Sequence, residues 1–403
     1  MGVDQELFAD RLPTYLTRFV GRKAEFAELR ARLARARLLT ICGVGGLGKT
    51  RLAIELAKSL RGRPGPPSVR EAYWVALGSV VDPAEVAAAV AAGIGVPGVG
   101  AQALVAALNA LRHRHALVLL DNCEQVASAC AEVARALVHE CPRVVLVATS
   151  RIPLGVAEEE VYAVPPMGEE AVDLFVDRAT SVAPAYALTE HNAESIGAIC
   201  TRLNGLPLAI ELTASWVRAV SPRDLLGQLE QTTHASPPGA AVAERHRNLT
   251  AVLDGTWQWL GEEDRAVATA LGVFRGGFTR EAAEDVAGAS LASLATLTER
   301  ALVQRLPDAV GGSRYQLHEL VRSYAVKRLE AAGPEVADRI RSRHFDYYLR
   351  MAEGFDTPEH TAIEPTLDGP LAAEQGNVDA AMSWALSRAD AERALRIGDA
   401  FAG

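Results

Sequence analysis

Between residues 38 and 165 the chain alternates short apolar runs with longer stretches of helical periodicity. The runs are Leu38 to Cys42, Ala72 to Leu77, Ala116 to Leu120, Val144 to Thr149 and Val161 to Val164. Each is too short for a helix and has no polar face, which is the pattern of strands covered on both sides in a parallel sheet. This predicts an α/β domain of three layers over residues 1–165. Arg61-Gly62-Arg63-Pro64-Gly65-Pro66-Pro67 reads as a surface loop, because repeated Pro and Gly continue neither helix nor strand. Val86 to Leu108 is 23 residues without a charge, long enough to cross a bilayer. It is mostly Ala and Gly and is broken by Pro97 and Gln102, so it reads as two buried helices joined at Gly95-Val96-Pro97-Gly98, with no membrane involved.

After Pro165-Pro166 the strand pattern stops. Helical segments near 168–180, 190–203, 207–219 and 222–230 predict a helical domain over 166–235. Thr232 to Ala241, with Ser236-Pro237-Pro238-Gly239, reads as a linker. Helices near 246–260, 262–273, 279–287 and 291–301 then lead into two β-like runs, Leu302 to Leu306 and Tyr315 to Leu317, with turn residues Asp308 to Gly312 between them. Helices followed by a β-hairpin are the outline of a winged helix, here 242–331. Residues 332–403 are helical again and stop at Phe401-Ala402-Gly403 in mid-pattern, which predicts a truncated chain whose helical array continues.

At 403 residues the chain exceeds what one core usually supports, so two to four domains are expected. A net charge of −9 argues against coating nucleic acid or an anionic membrane, and points to protein and small-ligand partners. Residues 241–330 carry eleven Lys and Arg against twelve Asp and Glu, so direct DNA binding through the winged helix is not expected. Cys42, Cys123, Cys130, Cys141 and Cys200 are odd in number and read as buried thiols of a cytosolic protein. Cys123 and Cys130 have no histidine at ligand spacing, so a zinc site is not expected. Met1 to Glu6 has neither an export nor a lipidation pattern, and a cytoplasmic location follows.

The chemistry starts at Gly43-Val44-Gly45-Gly46-Leu47-Gly48-Lys49-Thr50, directly after the first apolar run. Its glycines let successive backbone N–H groups turn inward on phosphates, Lys49 reaches the β/γ-phosphates, and Thr50 offers its hydroxyl to Mg²⁺. The helix that follows, with Arg51 in its first turn, aims its positive end at the anion. Ala116 to Leu120 delivers Asp121 at a strand end, 72 residues after Lys49, as a second Mg²⁺ partner. Hydrolysis needs a group to orient or deprotonate water. Asn122 is a poor base, and Glu124 is close enough to serve. Thr149-Ser150-Arg151 ends the next strand run, where a guanidinium could meet a γ-phosphate. Alone, such an arginine is a solvated residue; its place in the series gives it the second reading.

This order of motifs resembles the STAND class of signal-transduction ATPases, in particular the NB-ARC-like type of bacterial regulators. Four further stretches carry the likeness. Arg18-Phe19-Val20-Gly21-Arg22 resembles the family's adenine-holding segment, which implies nucleotide contacts from Phe19, Val20 and Arg22. Asp121-Asn122-Cys123-Glu124 resembles a bacterial form of its metal strand. Asn204-Gly205-Leu206-Pro207-Leu208-Ala209 resembles its GLPLA helix start, with Pro207 against base and ribose. Leu317-His318-Glu319 stands where the family has Met-His-Asp, with His318 at the β-phosphate of ADP. Taken singly, Pro207 is an N1 proline and His318 a histidine at a helix start.

The resemblance implies a slow ATPase used as a switch, closed with ADP and opened by ATP to self-associate and signal to a protein effector or sensor domain. Two departures stand out. Asn122 replaces a frequent second acid, and Glu319 lengthens the side chain that would help position His318. Two rivals remain open, a regulator using its winged helix on DNA and an AAA-type motor, which needs an arginine finger for which Arg112, Arg114 and Arg143 are unassigned candidates that read as solvated surface.

Overall fold

The computed structural model describes residues 12–98, 100–233, 241–307, 313–355, 374–388, 393 and 395–397. The expectations for Met1 to Glu6, Ser236 to Gly239, Asp308 to Gly312 and the last three residues lie outside them. The chain divides into two compact units, Met1–Pro166 and Met167–Gly403.

In the first unit, α1 (Lys23–Leu33) leads to β1 (Leu38–Cys42) and α2 (Lys49–Leu60), then to β2 (Glu71–Ala76), α3 (Val86–Gly93) and α4 (Ala101–Leu111). It continues with β3 (Ala116–Asp121), α5 (Ala127–Glu140), β4 (Val145–Ser150) and β5 (Glu159–Ala163). The strands form one parallel sheet in the order β2-β3-β4-β1-β5. Every residue of β1, β3 and β4 is buried, because helices cover both faces and the uniformly apolar runs have no wet side. The strand at the β5 edge differs. It starts two residues before the apolar run, at Glu159, and buries Tyr162 alone. The Glu159 carboxylate accepts from the N–H groups of Leu154 and Gly155, both at 2.8 Å, and so closes the turn ahead of the strand. The uncharged stretch from Val86 is two helices, α3 and α4, and no described helix is long and apolar enough to cross a membrane. All five cysteines are buried free thiols.

The second unit begins with helices α6 (Glu170–Val182), α7 (Glu190–Arg202), α8 (Pro207–Ala214), α9 (Pro222–Thr233) and α10 (Ala241–Trp259). A capping box between Thr189 and Asn192 starts α7. The three-helix core that follows is α11 (Glu262–Ala270), α12 (Arg280–Ala287) and α13 (Leu291–Glu299), with strands β6 (Phe278–Thr279), β7 (Val303–Pro307) and β8 (Ser313–Leu317). These strands pair antiparallel in the order β6-β8-β7. The order helix, strand, two helices, hairpin is a winged helix. Each helix of its central pair is capped at its N-terminus: Thr279 accepts from Ala282 N–H at 3.1 Å, and Ser290 from Ser293 N–H at 3.0 Å. The two-residue strand β6, preceded by Gly276 and Gly277, has no alternation to betray it and was not expected.

α10 joins the two parts of this unit. Trp259 meets Trp216 edge to face at 4.5 Å, Asn248 donates to Arg202 O at 2.8 Å, and Asp254 accepts from Tyr324. Beyond it lie α14 (Glu319–Ala331), α15 (Pro334–Phe355) and α16 (Gln375–Ser387). α16 is fastened to the winged helix by a buried polar cluster. Asn377, fully buried, accepts from Arg275 N–H at 2.6 Å and donates to Gly277 O at 2.8 Å, as a neighbouring strand residue would. Glu374 accepts from Asn377 at 2.7 Å and from Tyr348 at 2.9 Å, and pairs with Arg314.

Candidate nucleotide-binding site

β1, β3 and β4 end side by side because the sheet is parallel, and the predicted chemistry collects at that end. β1 opens into the glycine loop. Gly43 N–H donates to Ser150 O at 3.2 Å, and Val164 N–H to Cys42 O at 2.8 Å, so the loop starts from a strand held on both sides. Gly46 and Gly48 have φ of 81° and 80°, where side chains are strained. A Cβ on Gly43 would come within 2.8 Å of Leu47 Cδ1. The loop therefore needs glycine both for its path and for its fit.

Lys49 begins α2 and is 7% exposed, with Nζ donating to Val44 O at 3.2 Å across its own loop. Burial lowers its pKa, as does Arg151, while Glu124 and Asp121 hold it up. Asp121 at the end of β3 is the counterpart. Burial raises its pKa against the hydroxyls of Thr149 and Thr50 and the indole of Trp74, which lower it. Both hydroxyls donate to Oδ1 at 2.6 Å. Thr149 also accepts from Asn122 N–H at 3.0 Å, so it ties β3 to β4 at the point where the carboxylate emerges. Sequence reasoning named Thr149 only as the residue before Ser150 and Arg151. Its role depends on β4 lying beside β3, which no local pattern reveals.

Asn122 sits in the left-handed region at φ 62°, which Asn tolerates better than most residues. Past it, Glu124 and Arg151 are joined, Arg151 Nε to Glu124 Oε1 at 3.0 Å. The candidate base and the candidate γ-phosphate reader thus hold each other.

The segment ahead of the loop is stitched to it. Arg22, 4% exposed, donates to Pro165 O at 2.6 Å, to Leu47 O at 3.3 Å and to Glu25 at 2.7 Å. Arg51 donates to Thr17 O and to Thr17 Oγ1 at 3.2 Å, and lies over the Tyr15 ring at 4.2 Å. Phe19 meets Phe26 at 5.4 Å and Arg51 at 6.0 Å, while Val20 is half-buried. The two arginines thereby bind Tyr15 to Arg22 to the phosphate loop and its helix.

Pro207 and His318 belong to the second unit. Pro207 is the first residue of α8, after Asn204 and Gly205 with φ of 50° and 58°. A Cβ on Gly205 would stand 2.0 Å from Met167 O, and Gly205 O accepts from Met167 N–H at 2.9 Å. His318 caps α14, with Nδ1 accepting from Leu320 N–H at 3.2 Å, so a neutral ring carries its proton on Nε2. The Glu319 carboxylate binds Arg322 at 2.7 Å and Ser323 at 3.2 Å. The backbone of Leu320 is what orients His318.

The donor set fits Mg²⁺. Thr50 and Asp121 offer hard oxygens, and among the described residues no three His, Cys, Asp or Glu side chains gather as a cage. Mg²⁺ characteristically takes one or two protein oxygens and completes its shell with phosphate and water.

No family model matches the chain. A Mycobacterium tuberculosis protein named as an HTH-type transcriptional regulator is 36% identical over 92% of this chain and 42% of its own length. A second M. tuberculosis protein, uncharacterised, is 33% identical over 82% of this chain and 85% of its own length. The regulatory protein AfsR of Streptomyces coelicolor is 27% identical over 94% of this chain and 40% of its own. The chain thus spans less than half the length of the regulators it matches. A solved STAND protein with a tetratricopeptide repeat sensor, from Pyrococcus horikoshii, covers 97% of this chain and 60% of its own, with a TM-score of 0.58 at 16% identity. The chain thus belongs to the family of these mycobacterial HTH-type regulators and shares the fold of the solved STAND protein.

Proposed function

We propose that this chain is the ATP/ADP-controlled switch of a bacterial regulator, of the NB-ARC-like type, working in the cytoplasm. The observation that carries this reading is the set of pairings at the end of the sheet. Lys49 rests on Val44 O, Thr50 on Asp121, and Arg151 on Glu124. Each pairing joins groups that would turn to nucleotide or Mg²⁺.

Thr50 and Asp121 would hold Mg²⁺, which would supply charge neutralisation at the phosphates. The glycine-loop N–H groups and Lys49 bind the phosphates, and the segment from Phe19 to Arg22, kept in place by Arg22 and Arg51, flanks the loop for the base. Pro207 packs on base and ribose. His318, oriented by Leu320 N–H, donates from Nε2 to the β-phosphate of ADP. ADP bound to the closed form would stabilise it by linkage, about 2.7 kcal/mol at a ligand concentration 100 times Kd. With ATP, Arg151 leaves Glu124 for the γ-phosphate. Glu124 is then released to take a proton from water, and hydrolysis resets the switch. Opening leads to self-association and signalling to a protein effector or sensor domain.

A DNA-reading winged helix is the weaker account, although relatives are named HTH-type. The exposed residues of α13 are Leu291, Ala292, Ala295 and Glu299, which offer no cation to a phosphate.

The test is to denature the purified chain and identify the released nucleotide by ion-pair chromatography. Stoichiometric ADP, absent from Lys49→Ala, is the expected result. An empty chain that hydrolyses added ATP steadily would overturn the switch and favour a motor.

A further inference from the structure

The N-terminal edge of the sheet in residues 1–166 lies opposite the phosphate loop and has a chemistry of its own. The four strands β2, β3, β4 and β1 stand side by side, and each starts within two residues of an arginine: Arg70, Arg114, Arg143 and Arg37. Neighbouring strands are about 4.8 Å apart, so the four arginines form a row roughly 15 Å long. β5 opens instead with Glu159 and Glu160, which ends the row. Beside it, the loop after α2 is closed at its base by Gly62 N–H on Val69 O at 2.8 Å, and it carries Arg63, exposed.

Part of this charge serves the fold. Arg37 donates to Cys141 O at 3.2 Å and Arg143 to His113 O at 3.5 Å, each at a helix C-terminus that carries about half a negative charge. Arg114 binds Glu71 at 3.2 Å and Tyr73 at 3.0 Å, and Arg112 pairs with Glu140 at 3.3 Å. Arg63 and Arg70 are exposed, and among the described residues no carboxylate pairs with either. A positive excess remains.

The charge of the whole chain hides it. Residues 1–166 hold 19 Lys and Arg against 16 Asp and Glu, while 167–403 hold 22 against 34. The composition of the edge also separates two kinds of partner. The exposed large hydrophobics of the first unit are Leu16, Val81, Val105, Ile152 and Val161, none of them in these loops. A protein interface would want an apolar centre with few charges. An edge lined by arginines without such a centre, with Arg63 and Arg70 exposed and Arg37 and Arg143 facing only carbonyls, suits a line of phosphates, to which arginine donates in a fork.

We propose that this edge is a docking surface for the phosphate backbone of double-stranded nucleic acid. It is separate from the nucleotide site and does not depend on the switch.

The experiment is fluorescence anisotropy of a labelled duplex DNA of arbitrary sequence, titrated with the whole chain at increasing NaCl. About four phosphate contacts give a log–log salt slope of about −3.6, hence a loss of roughly 100-fold for a fourfold rise in salt. Arg63→Glu combined with Arg70→Glu is expected to weaken binding at least tenfold and to flatten the slope by about 2. Its circular dichroism spectrum and ATP affinity should stay unchanged, because both residues are exposed and far from the glycine loop. Absence of binding at low salt would overturn the proposal, and so would binding that the double variant leaves intact. Equal competition by poly-glutamate of matched charge would overturn it in favour of an acidic protein partner.

Discussion

Replacing Thr149 by Val keeps the shape of the side chain and removes its hydroxyl. Two hydrogen bonds go with it. The one donated to Asp121 Oδ1 is assisted by a charge and contributes about 1.5–3 kcal/mol, and the Asn122 N–H left without its acceptor costs about 1–3 kcal/mol. Together they predict a loss of about 3–5 kcal/mol, against a typical total of roughly 5–15 kcal/mol for a domain. For a unit of this size that lowers Tm by about 10 °C. Trp74 is the single tryptophan of residues 1–166, and it sits on β2 beside β3, so its fluorescence during urea or thermal unfolding reports this unit. The variant also removes one of the bonds that lower the Asp121 pKa. The acid limb of Mg²⁺-dependent ATP binding should therefore move to higher pH. Thr149→Ser, which keeps the hydroxyl, should lose less than about 1 kcal/mol. A Thr149→Val protein within about 0.5 kcal/mol of the parent, with unchanged pH dependence, would refute the argument, since that is the ordinary scatter of inconsequential substitutions.

Gly205→Ala combines a left-handed backbone with a Cβ 2.0 Å from Met167 O, and should destabilise the second unit by more than about 2 kcal/mol in urea unfolding read by its tryptophans. His344 is buried between Phe274 and Tyr348, and burial, reinforced by Arg275, lowers its pKa from 6.5 to about 4. Its contribution is complete above pH 6.5 and is lost as pH falls through about 4, a total of about 3 kcal/mol. His344→Phe should flatten that limb of the stability profile. Glu124→Gln breaks an ion pair whose arginine is 45% exposed, so stability should change by less than about 1 kcal/mol, while single-turnover ATP hydrolysis should fall about 100-fold or more. Equal hydrolysis rates would remove Glu124 from the reaction.

The sequence made visible what local pattern controls. β1, β3 and β4 are uniformly apolar because both faces are covered, and the glycine loop announces itself by positions that demand positive φ. Asp121 was legible as a strand-end carboxylate. The opening of β5 was misplaced because Glu159 and Glu160 break its apolar run while an edge strand tolerates them. β6 is too short for any periodicity. Thr149, and the mutual hold of Glu124 and Arg151, arise from the adjacency of β3 and β4, elements separated by a whole helix. Arg22 and Arg51 read as neighbours of the nucleotide, and the structure shows them tying the Tyr15 to Arg22 segment to the phosphate loop and its helix.

The amide of Asn377 occupies a place between Arg275 and Gly277 that backbone would otherwise fill, a hundred residues earlier in the chain. One consequence is mechanical. A pull applied to α16 reaches β6 and β8 through Asn377, Glu374 and Arg314, without slack to absorb it. The winged helix and the helices after it would then travel as one lever. A fragment cut at residue 331 would leave the hairpin holding half of a broken joint.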